Sequence, residues 1–221
     1  MSPWICLLSL LTLAAAAPAP STAPESPSLE ERKALDRDDA AAEAAADRGD
    51  VQAALRYMDF FGHEQEEFAS AMVEYGRQQR ALRRAVTDKF GEQSWQEAAS
   101  ALGVPRHGRK DQRSFRREGD VVYVRNKGSQ HDVPYVKVNG VWKVSVRDVL
   151  LTGVKARLGK DVKIEEADLH VLAGKLAKVV RQRGKGMAGL AESVRAGRIR
   201  TAAALRDAVE ALKRPASSKA K

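Results

Sequence analysis

The sequence predicts an α+β fold, in which N-terminal helices pack on an antiparallel sheet of about four strands and a helical C-terminal extension follows. Two observations carry this. Apolar residues recur at helical spacing as far as Gly103, alternate at period two between Arg113 and Val146, and return to helical spacing beyond Asp148. Between the alternating runs stand Glu118-Gly119-Asp120, Gly128-Ser129 and Asn139-Gly140, residue types that accept tight turns. With 221 residues, 43% of them hydrophobic, the chain is long enough to build a packed core, which excludes a wholly disordered protein.

Taken in order, Trp4 to Ala17 is an uncharged apolar run that ends in small residues, with Ala14-x-Ala16 as its cleavage site, and so has the form of an export signal over residues 1–17. It is too short to span a bilayer. Residues 18–39 are rich in Pro, Ser, Ala and acidic residues and read as a linker of low order, a tether to about Ser28 followed over Leu29 to Asp47 by an Ala-, Glu- and Asp-rich stretch with no strong apolar stripe that reads as a loosely packed helix. An α+β domain is expected over 40–147. Asp50 caps a helix carrying Val51, Ala54, Leu55, Met58 and Phe61, which Gly62 ends. Glu64 to Phe90 places Phe68, Met72, Tyr75, Leu82, Val86 and Phe90 on one stripe, and Gly91 ends it. Ser94 to Glu97 has the form of a capping box opening a short helix closed by Gly103 and Pro105.

Four strands are expected at Arg113 to Arg117, Val121 to Lys127, Val133 to Val138 and Val141 to Val146. Asn139-Gly140 is the strongest local signal, because a two-residue type I′ turn needs positive φ at both positions. That turn sets Val138 against Val141, Lys137 against Trp142 and Tyr135 against Val144. One sheet face then carries Val133, Tyr135, Trp142, Val144 and Val146 and meets the helices. Lys137 beside Trp142 is placed for a cation–π pair or for snorkelling at the sheet edge. The extension over 148–214 has a stripe of Ile164, Leu169, Leu172, Leu176 and Val179, a glycine-punctuated link at Gly184, Gly186 and Gly189, and a final helix with Leu205, Val209 and Leu212. Residues 215–221 form a Ser/Lys tail expected to be disordered.

The single cysteine, Cys6, lies in the export segment and would leave with it, which excludes a disulfide scaffold and a cysteine metal cage from the remainder. A bacterial envelope protein, periplasmic or extracellular, is the expected setting. His63-Glu64-Gln65-Glu66-Glu67 begins like the zinc motif H-E-x-x-H, but position 67 lacks the second imidazole. An acidic first turn favoured by the helix dipole accounts for it, so no metal ligand is assigned. Gly184 to Gly189 is literally G-x-G-x-x-G, yet it follows a helix rather than a strand, and no cofactor is assigned. His131-Asp132, before the hairpin, is a candidate acid and base in a loop.

The net charge of +9 is polarised. Residues 25–75 carry 14 acidic and 5 basic side chains, whereas 76–221 carry 15 acidic and 33 basic. The acidic front is therefore expected to dock on the chain's own basic back half. The clusters Arg77 to Arg84, Arg106 to Arg117 and Lys175 to Lys185 are candidates for phosphate contact, but no aromatic residues interleave with them as stacking platforms, which disfavours nucleic acid.

Gly49-Asp50-Val51-Gln52-Ala53-Ala54-Leu55 resembles the first-helix motif of the nuclear-transport-factor-2-like superfamily, and Tyr135 to Val144 resembles its closing hairpin. The resemblance covers roughly 40–146. It implies a bent sheet wrapped over helices as a cone whose interior holds a ligand, and it leaves activity open. On this reading Tyr57, Phe61, Tyr123, Tyr135 and Trp142 are the ligand-binding candidates. The expected function is a non-catalytic domain that binds a small apolar ligand or an envelope protein. Two alternatives remain: an isomerase- or cyclase-type enzyme with Tyr57, Tyr123 or Asp132 as acid or base, and polyanion binding through the basic C-terminal half.

Overall fold

The computed structural model describes residues 26–104, 109–129, 132–159 and 163–213. The export segment, the tail at 215–221, His107 and His131 lie outside them. Among the described residues no helix is long and apolar enough to cross a membrane.

The chain is α+β, with the helices before and after the sheet that the period changes predict. The first helix, α1 (Leu29–Asp47), is opened by a capping box in which Ser28 Oγ accepts from Glu31 N–H at 3.2 Å and Glu31 Oε2 accepts from Ser28 N–H at 2.9 Å. The helix read over Leu29 to Asp47 is present with those bounds, inside the segment 18–39 expected to be of low order. Leu35, Ala42, Ala45 and Ala46 make a sparse apolar stripe, and Asp38 and Asp39 fill its interior slots. A hydrophobicity pattern scores those aspartates as solvent-facing, so it misses the packed face.

Asp50 caps α2 (Val51–Leu55) through Ala53 N–H at 2.9 Å. The expected helix to Phe61 stops short there, and Met58–Asp59 forms β1 instead. Two residues are too few for any periodicity to register. A long helix, α3 (Gly62–Ala101), buries Phe68, Met72, Tyr75, Leu82 and Val86, the expected stripe, and Gly91 breaks it at φ 84°. The capping box at Ser94 does not form. Ser94 Oγ donates to the Phe90 carbonyl at 3.0 Å, and Glu97 accepts from Gln93.

The sheet comprises β1, β2 (Arg109–Glu118), β3 (Val121–Lys127), β4 (Val133–Val138) and β5 (Val141–Ser145), in the order β1-β5-β4-β3-β2. It has five strands rather than four, because β1 adds in parallel to β5. The hairpin register is the expected one, Lys137 opposite Trp142 and Tyr135 opposite Val144, with Asn139 at φ 51° and Gly140 at φ 81°. Val133, Tyr135, Trp142, Val144 and Val146 are all buried.

Ser145 caps α4 (Val146–Leu158) by accepting from Asp148 N–H at 3.2 Å. Then α5 (Glu166–Arg195) runs unbroken through Gly184, Gly186 and Gly189, so the expected link is helix interior, and α6 (Ala202–Lys213) follows. Helices α3 and α5 lie side by side in the same direction. Glu64 faces His170 near one end, Tyr75 abuts Gly184, and Lys89 reaches the Val194 carbonyl near the other. The face of α5 turned inward is Leu169, Ala173, Ala177, Val180, Gly184, Met187 and Ala191. Of the stripe read from sequence beyond Ile164, only Leu169 is fully buried; Leu172 and Leu176 are partly covered and Val179 is 44% exposed. Small side chains let the helix backbones approach, and that seam outcompetes the larger residues one position round.

Candidate functional site

The five aromatic residues expected to line one ligand site are dispersed. In the β3–β4 register Tyr123 opposes Pro134, so it lies on the opposite sheet face from Tyr135, the next residue along β4. Tyr135 and Trp142, each 3% exposed, share the face covered by α1. Tyr57 is half-buried just before β1, and its carbonyl accepts from Val144 N–H at 2.9 Å. Phe61 is 56% exposed at the start of α3. Since α1 occupies the face that would line a cone, Tyr135 and Trp142 are committed to packing.

What α1 brings to that face is charge. Tyr135 Oη donates to Asp39 Oδ1 at 2.9 Å, and Arg113 Nη2 donates to Asp39 Oδ2 at 2.6 Å. Arg113 also donates to Asn126 at 3.0 Å and pairs with Asp36. Burial opposes its charge, but the Asp39 carboxylate and its hydrogen bond hold the Arg113 guanidinium more firmly protonated than usual. Asp38 Oδ2 accepts from Trp142 N–H at 2.9 Å. That amide lies on the β1 side of β5, beyond the reach of a strand whose Met58 pairs Val144, so Asp38 supplies the acceptor that the short strand does not. Further along β2, Glu31 pairs with Arg117 at 2.6 Å and Arg32 lies 5.2 Å from the Phe115 ring centre. Arg80 on α3 pairs with Asp47. The acidic front does dock on the basic back half, residue by residue.

The opposite sheet face holds the other chemistry-bearing group. Arg116 stacks 4.6 Å from the centre of the Tyr123 ring. Asp132 accepts from Arg125 at 2.5 and 3.1 Å and from Arg116 at 3.4 Å. Burial, then the nearby Asp148 carboxylate, raises the Tyr123 phenol above its ordinary value. Two guanidiniums occupy Asp132, which leaves that carboxylate engaged rather than offered to a substrate.

The two described histidines, His63 and His170, each lie beside a glutamate. His63 lies 3.9 Å from Glu67, which also meets Arg181 at 3.4 Å, and His170 Nδ1 lies 3.5 Å from Glu64. Among the described residues no group of three or more His, Cys, Asp or Glu is placed to hold a metal ion. A cleft of about 140 Å³ opens between α3 and α5 over Tyr75 and Gly184, its rim set by Glu74, Gln78, Arg181 and Lys185.

The remaining feature is the outer face of α5. Between Leu169 and Ala191 it contains no Asp or Glu but carries Lys175, Lys178, Arg181, Arg183 and Lys185. Arg181 pairs with Glu67; Lys175, Lys178, Arg183 and Lys185 are exposed and make no hydrogen bond or ion pair among the described residues. Val171, Lys175, Lys178, Gln182 and Lys185 follow i, i+4, i+7, i+11, i+14 spacing, which aligns them as one ridge about 21 Å long. The sequence shows this cluster, but only the pairing pattern separates it from the equally basic β2, where Arg113 and Arg117 pair with α1 and Arg116 pairs with Glu118 and Asp132. The sequence reading does not single out Asp38 or Asp39, and it holds Arg113 only as a member of the basic cluster Arg106 to Arg117. The signal available for them is that Glu31, Leu35, Asp38, Ala42 and Ala45 share one helical stripe while Arg113, Phe115 and Arg117 alternate on one strand face.

Comparison with family models, curated proteins and solved structures finds no match. The resemblance to the nuclear-transport-factor-2-like superfamily therefore rests on residues 49–55 and 135–144 alone.

Proposed function

We propose that this protein is an exported, non-catalytic binding module whose working surface is the outer face of α5 and whose ligand is a polyanion. The observation that carries this reading is the set of four exposed cations, Lys175, Lys178, Arg183 and Lys185, that have no ion pair among the described residues and share an acid-free stretch of one helix, whereas Arg113, Arg116 and Arg117 of β2 are each paired internally. Exposed cations that need not break an internal pair are free to exchange small counterions for a polymer's charges. The apolar segment with Ala14-x-Ala16 supports export, and the commitment of Tyr135 and Trp142 to α1 directs binding away from the sheet.

The test is chromatography on immobilised heparin at neutral pH. The wild-type protein is expected to be retained and to elute with salt, and Lys175→Glu/Lys178→Glu/Lys185→Glu, at exposed positions, is expected to flow through while keeping its circular dichroism and melting temperature. Retention of the triple variant equal to wild type, or retention insensitive to salt, overturns the proposal.

A further inference from the structure

Resting on that reading, we infer that the polyanion is the headgroup surface of an anionic lipid bilayer. The ridge is not uniformly polar. Val171 is 57% exposed at its N-terminal end, and Val179, 44% exposed, stands one turn on from Lys175 and beside Lys178. On a soluble polymer these isopropyl groups stay wet and contribute nothing. Against a bilayer they sink to the boundary between headgroups and acyl chains, while the lysine stems extend and keep their ammonium groups among the phosphates. The ridge belongs to a 30-residue helix packed along its inner face on α3, so its cations lie on one side of one continuous element. The cations on the outermost line are lysines with no aromatic partner among them, which suits a diffuse layer of phosphates better than the stacking platform a single-stranded nucleic acid needs. No helix among the described residues crosses a membrane, so the contact is peripheral and reversible.

Co-sedimentation with vesicles tests this on the full chain. Binding is expected to phosphatidylglycerol-containing vesicles and not to pure phosphatidylcholine. Each lysine contributes about fivefold, so Lys175→Glu/Lys178→Glu/Lys185→Glu is expected to weaken vesicle binding by roughly a hundredfold or more. The deciding variant is Val171→Ser/Val179→Ser, which keeps every charge and changes only exposed positions. It is expected to lose about tenfold on phosphatidylglycerol vesicles while eluting from heparin at the wild-type salt concentration. If this variant binds vesicles as tightly as wild type, or if the wild type prefers duplex DNA to vesicles at equal salt, the lipid assignment is overturned and the polyanion reading stands. Loss of heparin retention in the wild type removes both.

Discussion

Asp39 is 1% exposed and its partner Arg113 7%, so neither side chain has water to fall back on. Removing Arg113 takes the counter-charge from buried Asp39, and removing the Asp39 charge leaves the buried guanidinium only the half-exposed Asp36 carboxylate. Asp39→Asn, which still offers Tyr135 an acceptor, is expected to cost about 3–5 kcal/mol in urea unfolding at pH 7, whereas adding Arg113→Met to it costs far less than the two single losses combined. Additive losses would mean that the pair does not anchor α1. Glu31 is a partly exposed neighbour with a different signature. The Ser28 backbone N–H first, and then Arg117, lower its carboxyl from 4.5 to about 2. Between those values the unfolded chain binds the proton and the folded chain does not. The stabilisation is therefore complete above pH 4.5 and is lost as pH falls through 2. Glu31→Gln is expected to flatten the decline in melting temperature across that window; an unchanged slope would show that the capping box carries no such linkage.

The same substitution has opposite consequences in two helices. At Gly189, inside α5, an added methyl meets nothing within 4 Å, so Gly189→Ala is expected to raise stability by about 1 kcal/mol through helix propensity alone. At Gly62, where α3 begins with φ 76°, the methyl would sit 2.8 Å from Cε1 of His170, and Gly62→Ala is expected to lose about 1–3 kcal/mol. Thermal unfolding of the two variants checks both, and a destabilised Gly189→Ala would contradict a continuous α5. These elements also mark how far the sequence is legible. The hairpin at Asn139-Gly140, the stripe of α3 and its break at Gly91 follow from turn chemistry and period, which are local. The packed face of α1 and the rotated face of α5 do not. In one, aspartates occupy interior slots because groups far along the chain receive them, Arg113 for Asp39 and the Trp142 N–H for Asp38; in the other, alanine and glycine are buried because they are small. Both depend on a partner surface that no window of sequence contains. For the same reason the five aromatic residues read as one site fall on different surfaces: the face that Tyr123 occupies is set by pairing with β4, not by its own neighbours.

Across the molecule, what matters for a polyanion is which cations remain free, and the net charge of +9 is a poor guide to that. The back half holds many more basic than acidic residues, but Arg80, Arg113 and Arg117 are occupied by Asp47, Asp36 with Asp39, and Glu31. An external polymer must break those pairs to use them, and the Asp39 pair is buried. Two consequences follow for salt dependence. The number of counterions released on heparin binding is expected to be about three or four, matching the free cations of α5, and not the excess charge of the back half. Arg117→Gln is expected to lower the melting temperature, since it frees Glu31, while leaving the eluting salt concentration unchanged. Lys178→Gln is expected to do the reverse. Elution that falls equally in both variants would mean that total charge governs binding, and the division of labour between the paired arginines of β2 and the open helix would then be wrong.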